Sequence, residues 1–351
     1  MKVETKISKV NPLNPERDIL MEAAKLIREG HLVAFPTETV YGLGANGLDE
    51  AAAAKIFEAK GRPQDNPLIL HVSSIEEVEP LVESISHESE KLMDRFWPGP
   101  LTILFKRSSL IPDIITAGLD TVAIRMPSHP IAKELIRLSG VPIAAPSANT
   151  SGRPSPTLAS HVIEDLYGKI HMIIDGGSTG VGLESTVLDL TGEVPIILRP
   201  GGVTLEDLQE IIPNVEEDLS IIADSEDIVP RSPGQKYRHY APKADMIVFS
   251  GQLPNMVRAI NAKAAEYIKD GKKVGIMATD ETKDEYKAGI IISMGSRKRK
   301  ETIAQNLFNT IRLLDGEGVD IILSEGVELS HIGTAIMNRL KKASGGKIIK
   351  V

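Results

Sequence analysis

At 351 residues, 42% hydrophobic and 25% charged, the chain is long enough to bury more than one core, and one large domain with one smaller domain is the natural expectation. A formal net charge of −8 argues against a protein whose main business is coating nucleic acid, because non-specific affinity comes from cations that neutralise phosphates. The absence of cysteine excludes disulfides, thiolate nucleophiles and every cysteine-ligated zinc or iron–sulfur site.

Residues 1–11 mix Lys2, Glu4, Lys6 and Lys9 with short apolar residues and lack the continuous apolar stretch of a secretory signal. No run approaches the length of a membrane span, so a cytoplasmic location without membrane contact is expected. Ile19, Leu20, Ala23, Ala24 and Ile27 recur at helical spacing, which predicts a helix over 16–30 that stops at Gly30. A strand over 31–35 follows, then an alanine-rich helix running to Ala59 from an Asp49 cap, and a short strand over 68–72. Two helices are expected within 74–96. Past the Pro98-Gly99-Pro100 break come strands over 101–105 and 121–126, a helix over 130–139 and a strand over 141–145. Strands over 170–174, 185–190 and 194–198 then cluster with only one helix, near 158–166. This order predicts an α+β, mixed and twisted open sheet for residues 1–202, not a regular βαβ repeat.

Over 203–243 the composition turns acidic, with Glu216, Glu217, Asp218, Asp224, Glu226 and Asp227 preceding SPGQKYRHYAP, and the stretch reads as a linker. From 244 to 351, strands over 246–249, 274–278, 289–294 and 321–324 are interspersed with helices over 253–270, 301–314 and 332–342. That pattern predicts a smaller, mostly parallel, Rossmann-like α/β domain.

Chemistry-bearing residues gather in loops just after predicted strands, where open α/β sheets hold their ligands. The first loop, PTETVYGLGANG over 36–47, offers the hydroxyls of Thr37 and Thr39 to a polar substrate. Its Gly42, Gly44 and Gly47 have dinucleotide-fingerprint spacing, but Gly42 lies several residues past the strand, so a turn-forming role is the better reading. In KGRPQDNP, over 60–67, Lys60 and Arg62 either complement a helix dipole in a solvated turn or clamp phosphates, Arg62 by forked hydrogen bonds and Lys60 as a point charge. His71, taken alone, reads as a structural histidine. The PSAN segment over 146–149 supplies Ser147 and Asn149, and Ser155 follows across the Pro154 and Pro156 turns; a capped turn is the plainer reading. Arg125 ends the TVAIRMP strand, Arg199 closes the strand before Pro200-Gly201-Gly202, and the glycines of DGGSTGVGLEST would let backbone amides approach an anion. The run Arg297, Lys298, Arg299, Lys300 reads as a solvated helix start in preference to an RNA or partner contact.

Together PTETVYGLGA, KGRPQDNPL, FWPGPLT, the VAIRMP strand and APSANTSGRPSPT resemble, in order and spacing, the YrdC-like family of L-threonylcarbamoyladenylate synthases, over roughly residues 7–202. SPGQKYRHYAP and the α/β region after it resemble the long form of that family, which carries an additional C-terminal domain. The resemblance implies a nucleotidyltransferase that converts L-threonine, bicarbonate or carbon dioxide, and ATP into threonylcarbamoyl-AMP and diphosphate, with Mg2+ carried by ATP and no dedicated protein ligands. It implies a hand-off to a tRNA threonylcarbamoyltransferase complex acting on adenosine 37 of tRNAs that read codons starting with A, direct tRNA contact not being required. By the same likeness Lys60, Arg62, Ser147 and Asn149 form the central tetrad at the nucleotide, joined by Asn66, Thr121, Ser155 and Arg199, with Tyr240 reaching in from the linker. For L-threonine it implies Thr37 or Thr39, His71, Arg125, the backbone of Ala145, and Ser185. His239 and Tyr240 would ride on a lid over 232–242 that shields a labile carbamate from water. Two rivals are a hydrogenase-maturation carbamoyltransferase, opposed by the lack of cysteine for its zinc fingers, and a double-stranded RNA-binding module, opposed by the acidic balance.

Overall fold

The computed structural model describes residues 3–218 and 239–351. They form two compact units, the first containing the residues up to 151 and those of 155–218, the second Gly152–Pro154 and 239–351. Most of the expected lid, 232–242, lies outside the described residues.

The first unit runs β1 (Lys6–Lys9), α1 (Arg17–Arg28), β2 (Val33–Phe35), β3 (Gly42–Asn46), α2 (Glu50–Lys60), β4 (Ile69–His71), α3 (His87–Phe96), β5 (Leu101–Lys106), α4 (Asp113–Thr116), β6 (Thr121–Arg125), α5 (Pro130–Ser139), β7 (Ile143–Ala144), α6 (Ala159–Leu166), β8 (Met172–Asp175), β9 (Thr186–Asp189), β10 (Ile196–Arg199), α7 (Leu205–Gln209) and β11 (Glu216–Glu217). Its strands make one 11-stranded sheet in the order β1-β8-β2-β3-β7-β4-β6-β5-β9-β10-β11. Parallel and antiparallel neighbours alternate irregularly through it, which is the mixed sheet expected for this region. Strand alternation divides the core: Val33 and Phe35 pack with Leu20, Ile27 and Leu135 from α1 and α5, while Ala34 joins Leu43, Ile56, Leu70 and Ile103. Fully buried Leu20 and Ile27 each contribute about 1.5–3 kcal/mol to holding α1 on the sheet.

Several elements differ from expectation for identifiable reasons. The glycine-rich stretch of the first loop is strand β3 for Gly42 and Gly44, whereas Gly47 lies in the turn that follows it; all three keep negative φ, and no phosphate loop is built from them. Gly44 is needed for close approach: a Cβ there would lie 2.8 Å from the Phe35 ring and 2.9 Å from Ile143. Within 74–96 only α3 is an α-helix; the Glu77 carboxylate accepts from Ser73 N at 2.8 Å and Pro80 lacks an N–H, leaving a single 3-10 turn at Glu79–Leu81. Strand β1 buries only Ser8 of its KISK sequence, so it carries no apolar alternation to read. The acidic stretch expected to begin a linker carries α7, closed by a Thr204–Asp207 capping box, and β11, which pairs parallel with β10.

The second unit contains β12 (Asp245–Ser250), α8 (Leu253–Lys269), β13 (Val274–Ala278), β14 (Ile290–Ser293), α9 (Lys300–Gly316), β15 (Ile321–Glu325), α10 (Ile332–Ala343) and β16 (Ile348–Lys350). Its five strands are all parallel, in the order β14-β13-β15-β12-β16. Met256, Val257, Ile260 and Ala264 form the buried face of α8 and pack with Ile276 and Leu323. The basic run is not a uniformly solvated helix start. Lys298 and Arg299 are exposed, but Arg297 turns inward and donates to Glu325 Oε2 at 2.7 Å and to Gly326 O at 2.8 Å. Among the described residues no helix is long and apolar enough to cross a membrane.

Candidate active site

Strand pairing sets the centre of the site. His71 of β4 lies opposite Arg125 of β6 on one side, and Thr102 of β5 lies opposite it on the other. The Arg125 guanidinium is buried and fans out over three acceptors: Gly99 O at 3.2 Å, Thr39 Oγ1 at 2.9 Å and Glu38 Oε1 at 2.6 Å. Thr37 Oγ1 donates to Val40 O at 2.7 Å, so in its 2.8 Å contact with Thr39 the Thr39 hydroxyl is the donor. Burial pushes the His71 imidazole down to about 3 and the nearby Arg125 charge acts in the same direction, so this ring is neutral at physiological pH.

On the far side of Thr102 the Ser185 hydroxyl lies 2.7 Å from Thr102 Oγ1. Arg199 donates to the Ser185 carbonyl and hydroxyl, each at 3.1 Å. The exit after Arg199 must be glycine, because a Cβ at Gly201 would lie 2.4 Å from both Glu184 O and Thr186 N. Ser155 Oγ donates to Glu184 Oε1 at 2.5 Å.

A second group forms at the end of α2. The Asp49 side chain caps the helix by accepting from Ala52 N, and Gly61 ends it in the left-handed region at φ 61°, which turns Lys60 and Arg62 inward. The Lys60 ammonium donates to the carbonyls of Ser147 and Asn149, while Lys60 O accepts from Ser151 N at 2.8 Å. Ser147 Oγ donates to Asn149 Oδ1 at 2.6 Å, a bridge joins Ser147 to Gly42 of β3, and Ala145 N donates to Ile69 O at 3.0 Å. Arg62 Nη2 donates to Pro67 O at 3.1 Å and Asn66 O at 3.3 Å. The PSAN loop is thereby pinned by a buried cation beneath it and by β3 and β4 beside it.

Three buried polar atoms in these two groups have no partner among the described residues: Glu38 Oε2, Asn66 Oδ1 and His71 Nδ1. Nearly all buried polar atoms in folded proteins are satisfied, so each bare one is a place where water or a ligand completes the bonding; His31 Nδ1 and His171 Nδ1, outside these groups, are bare as well. The structure thus holds Thr37, Thr39 and Arg125 in one hydrogen-bonded group, with His71 beside Arg125 on the ladder, sets Ser185 and Arg199 in a second group around Thr102, the register partner of Arg125, and gathers Lys60, Arg62, Asn66, Ala145, Ser147 and Asn149 around the helix end. Thr121 stands at the opposite end of β6 from Arg125, roughly 13 Å away at strand spacing. Tyr240 belongs to the second unit, its ring 5.0 Å from that of Phe308 and 5.5 Å from the Arg339 guanidinium. Sequence reasoning missed Glu38, Thr102 and Glu184. A carboxylate set between two threonines in a strand-end loop was the available signal for Glu38. Among the described residues no group of three or more His, Asp or Glu is placed to hold a metal ion.

Comparison with known proteins supplies the class. Residues 25–201 match the Sua5-YciO-YrdC family, described as "telomere recombination", and residues 203–345 match the threonylcarbamoyl-AMP synthase C-terminal domain. That combination defines a two-domain protein of the Sua5 type. The threonylcarbamoyl-AMP synthase of Pyrococcus abyssi is 54% identical over 94% of this chain and 95% of its own length, and that of Bacillus subtilis is 48% identical over 94% of each. The crystal structure of P. abyssi Sua5 complexed with L-threonine superposes with a TM-score of 0.94 at 52% identity, covering 98% of this chain and 99% of that one. The chain belongs to the threonylcarbamoyl-AMP synthase family.

Proposed function

We propose that this chain is an L-threonylcarbamoyladenylate synthase, a nucleotidyltransferase that joins L-threonine, bicarbonate or carbon dioxide, and Mg2+-bound ATP into threonylcarbamoyl-AMP with release of diphosphate. The observation that carries the reading is the set of three bare buried atoms, Glu38 Oε2, Asn66 Oδ1 and His71 Nδ1, among the buried cations Arg125, Lys60 and Arg62. The names of the P. abyssi and B. subtilis relatives, and the threonine in the P. abyssi structure, support the choice of substrate.

In this reading the neutral threonine amine attacks carbon dioxide and releases a proton to give a carbamate, and a carbamate oxygen attacks the α-phosphorus in line as diphosphate leaves. No covalent enzyme intermediate is required, and rate enhancement comes from positioning and from cations placed where negative charge accumulates. Arg125, with Thr37, Thr39, His71, Ser185 and the Ala145 backbone, forms the amino-acid end. Lys60, Arg62, Asn66, Ser147 and Asn149 form the nucleotide end, Lys60 holding the PSAN loop in shape as well as lending its charge, and Ser155 and Arg199 join them by family resemblance. The roles of Thr121 and Tyr240 at the nucleotide rest on the family resemblance alone. Magnesium enters with the nucleotide, in keeping with a donor set of cations, hydroxyls and amides that suits phosphate more than a bare metal ion. The product would pass, in the cytoplasm, to the complex that modifies adenosine 37 of tRNA.

Incubating the purified chain with ATP, magnesium, bicarbonate and each amino acid in turn, and following diphosphate release, tests substrate and reaction together. Release that depends on both L-threonine and bicarbonate is expected. Release independent of any amino acid, or none at all, would overturn the reading.

A further inference from the structure

Glu38 sits between the two threonines of the loop joining β2 to β3, and its carbonyl accepts from Val181 N at 2.7 Å, so its side chain springs from an anchored point. The carboxylate is 13% exposed. One oxygen, Oε1, accepts from Arg125, whereas Oε2 is buried and bare among the described residues. An ionised carboxylate only accepts hydrogen bonds, so what completes this one must bring an N–H or O–H donor. Arg125 has five N–H groups, three of which are directed at Gly99 O, Thr39 Oγ1 and Glu38 Oε1, leaving one on each terminal nitrogen for an incoming anion. His71, neutral and directly across the ladder, adds no second charge to this arrangement.

An α-amino acid presents an anionic carboxylate and a cationic amine on one carbon. The Arg125–Glu38 pair presents the complementary cation and bare anionic oxygen side by side. We propose that Glu38 recognises the amine of the substrate amino acid, its Oε2 accepting from the amine N–H while Arg125 takes the α-carboxylate. This deepens the proposed function and rests on it, since it assigns the feature that separates an amino acid from any other small carboxylate. It also positions the nitrogen that attacks carbon dioxide after the ammonium has given up one proton to solvent, because an N–H held at Oε2 orients the rest of the amine.

The test compares two ligands on two proteins: L-threonine and 3-hydroxybutyrate, which is threonine without its amino group, titrated into the full chain and its Glu38→Gln variant by NMR. Hydrogen bonds to charged groups are strong, so Glu38→Gln is expected to weaken L-threonine about 30-fold while leaving 3-hydroxybutyrate within about threefold. Equal weakening of both ligands would mean that Glu38 only props Arg125, and unchanged L-threonine affinity would mean that Oε2 meets no amine; either result overturns the proposal. If the unaltered chain binds no L-threonine, the synthase reading itself falls, a different outcome from an insensitive variant. Glu38→Asp keeps the charge but draws it back by one methylene, and is expected to weaken L-threonine while sparing 3-hydroxybutyrate; it decides by the same criterion should Glu38→Gln fail to fold.

Discussion

Each unit contains a buried arginine–glutamate pair, and the two are alike in length but not in completion. Arg125 meets Glu38 at 2.6 Å and Arg297 meets Glu325 at 2.7 Å. Glu325, fully buried at the end of β15, has both oxygens answered: Oε1 by the hydroxyls of Tyr286 and Thr282, Oε2 by Thr279 at 3.0 Å and by Arg297. Burial and the Glu325 charge hold the Tyr286 phenol above its ordinary range, which keeps it a donor. In Glu38 the second oxygen is bare. Burying a charge is costly unless its remaining lone pairs are satisfied, so the second-unit pair is a finished structural element, whereas the first-unit pair keeps one oxygen open, which is the basis for the proposal that a substrate amine completes it.

The sharpest break of this contrast would come from Glu325→Ala, which leaves the Arg297 charge without its anion. A loss of about 3–5 kcal/mol in the stability of the second unit is expected in denaturant unfolding. A loss well under 1 kcal/mol would show that completion there is not structural. In the first unit, Lys60→Ala or Arg62→Ala should lower adenylate formation by about 100-fold or more, the scale set by removing one transition-state donor. Near-normal diphosphate release would exclude these roles.

Protonation of His71 gives a smaller effect whose sign is fixed. Its folded value of about 3 lies below the unfolded value of 6.5, so between those limits the unfolded chain binds a proton that the folded chain refuses. Stability therefore falls as pH drops below 6.5, by about 2 kcal/mol at pH 5 from this group. His71→Gln should remove that share of the acid sensitivity in the ligand-free protein, and an unchanged pH slope would contradict a buried neutral ring. The smallest expected change is Asp49→Ala, which deletes the cap of α2 and should cost about 1 kcal/mol while leaving turnover intact. A large loss of activity there would show that the helix end is held mainly from its other terminus.

Much of this site could be read from the chain because its loops follow strands and concentrate small polar and cationic residues. Lys60, Arg62, Ser147 and Asn149 stood out in that way, although the residues alone read as a solvated helix end and a capped turn, and only the family resemblance placed them at a nucleotide. What stayed hidden was set by contacts distant along the sequence. Glu38 acquires meaning only from Arg125, 87 residues away, and Arg297 looked solvated until Glu325, 28 residues on, drew it inward. Gly42 and Gly44, expected in a turn, lie in β3 for a related reason: they make room for Phe35, Ile143 and Ala145, while Gly47 in the following turn makes room for Leu70, and glycine spacing alone does not distinguish close packing from a turn. Strands β1 and β11 have almost no apolar residues, so pairing with β8 and β10 defines them and periodicity does not.

The most direct test of the claim that bare buried atoms mark the catalytic region is a crystal structure of the chain with L-threonine and an unreactive ATP analogue. Ligand atoms are expected within hydrogen-bond distance of Glu38 Oε2, Asn66 Oδ1 and His71 Nδ1, with phosphates beside Lys60 and Arg62. Both ligands bound elsewhere, with those three atoms still unpaired, would contradict it.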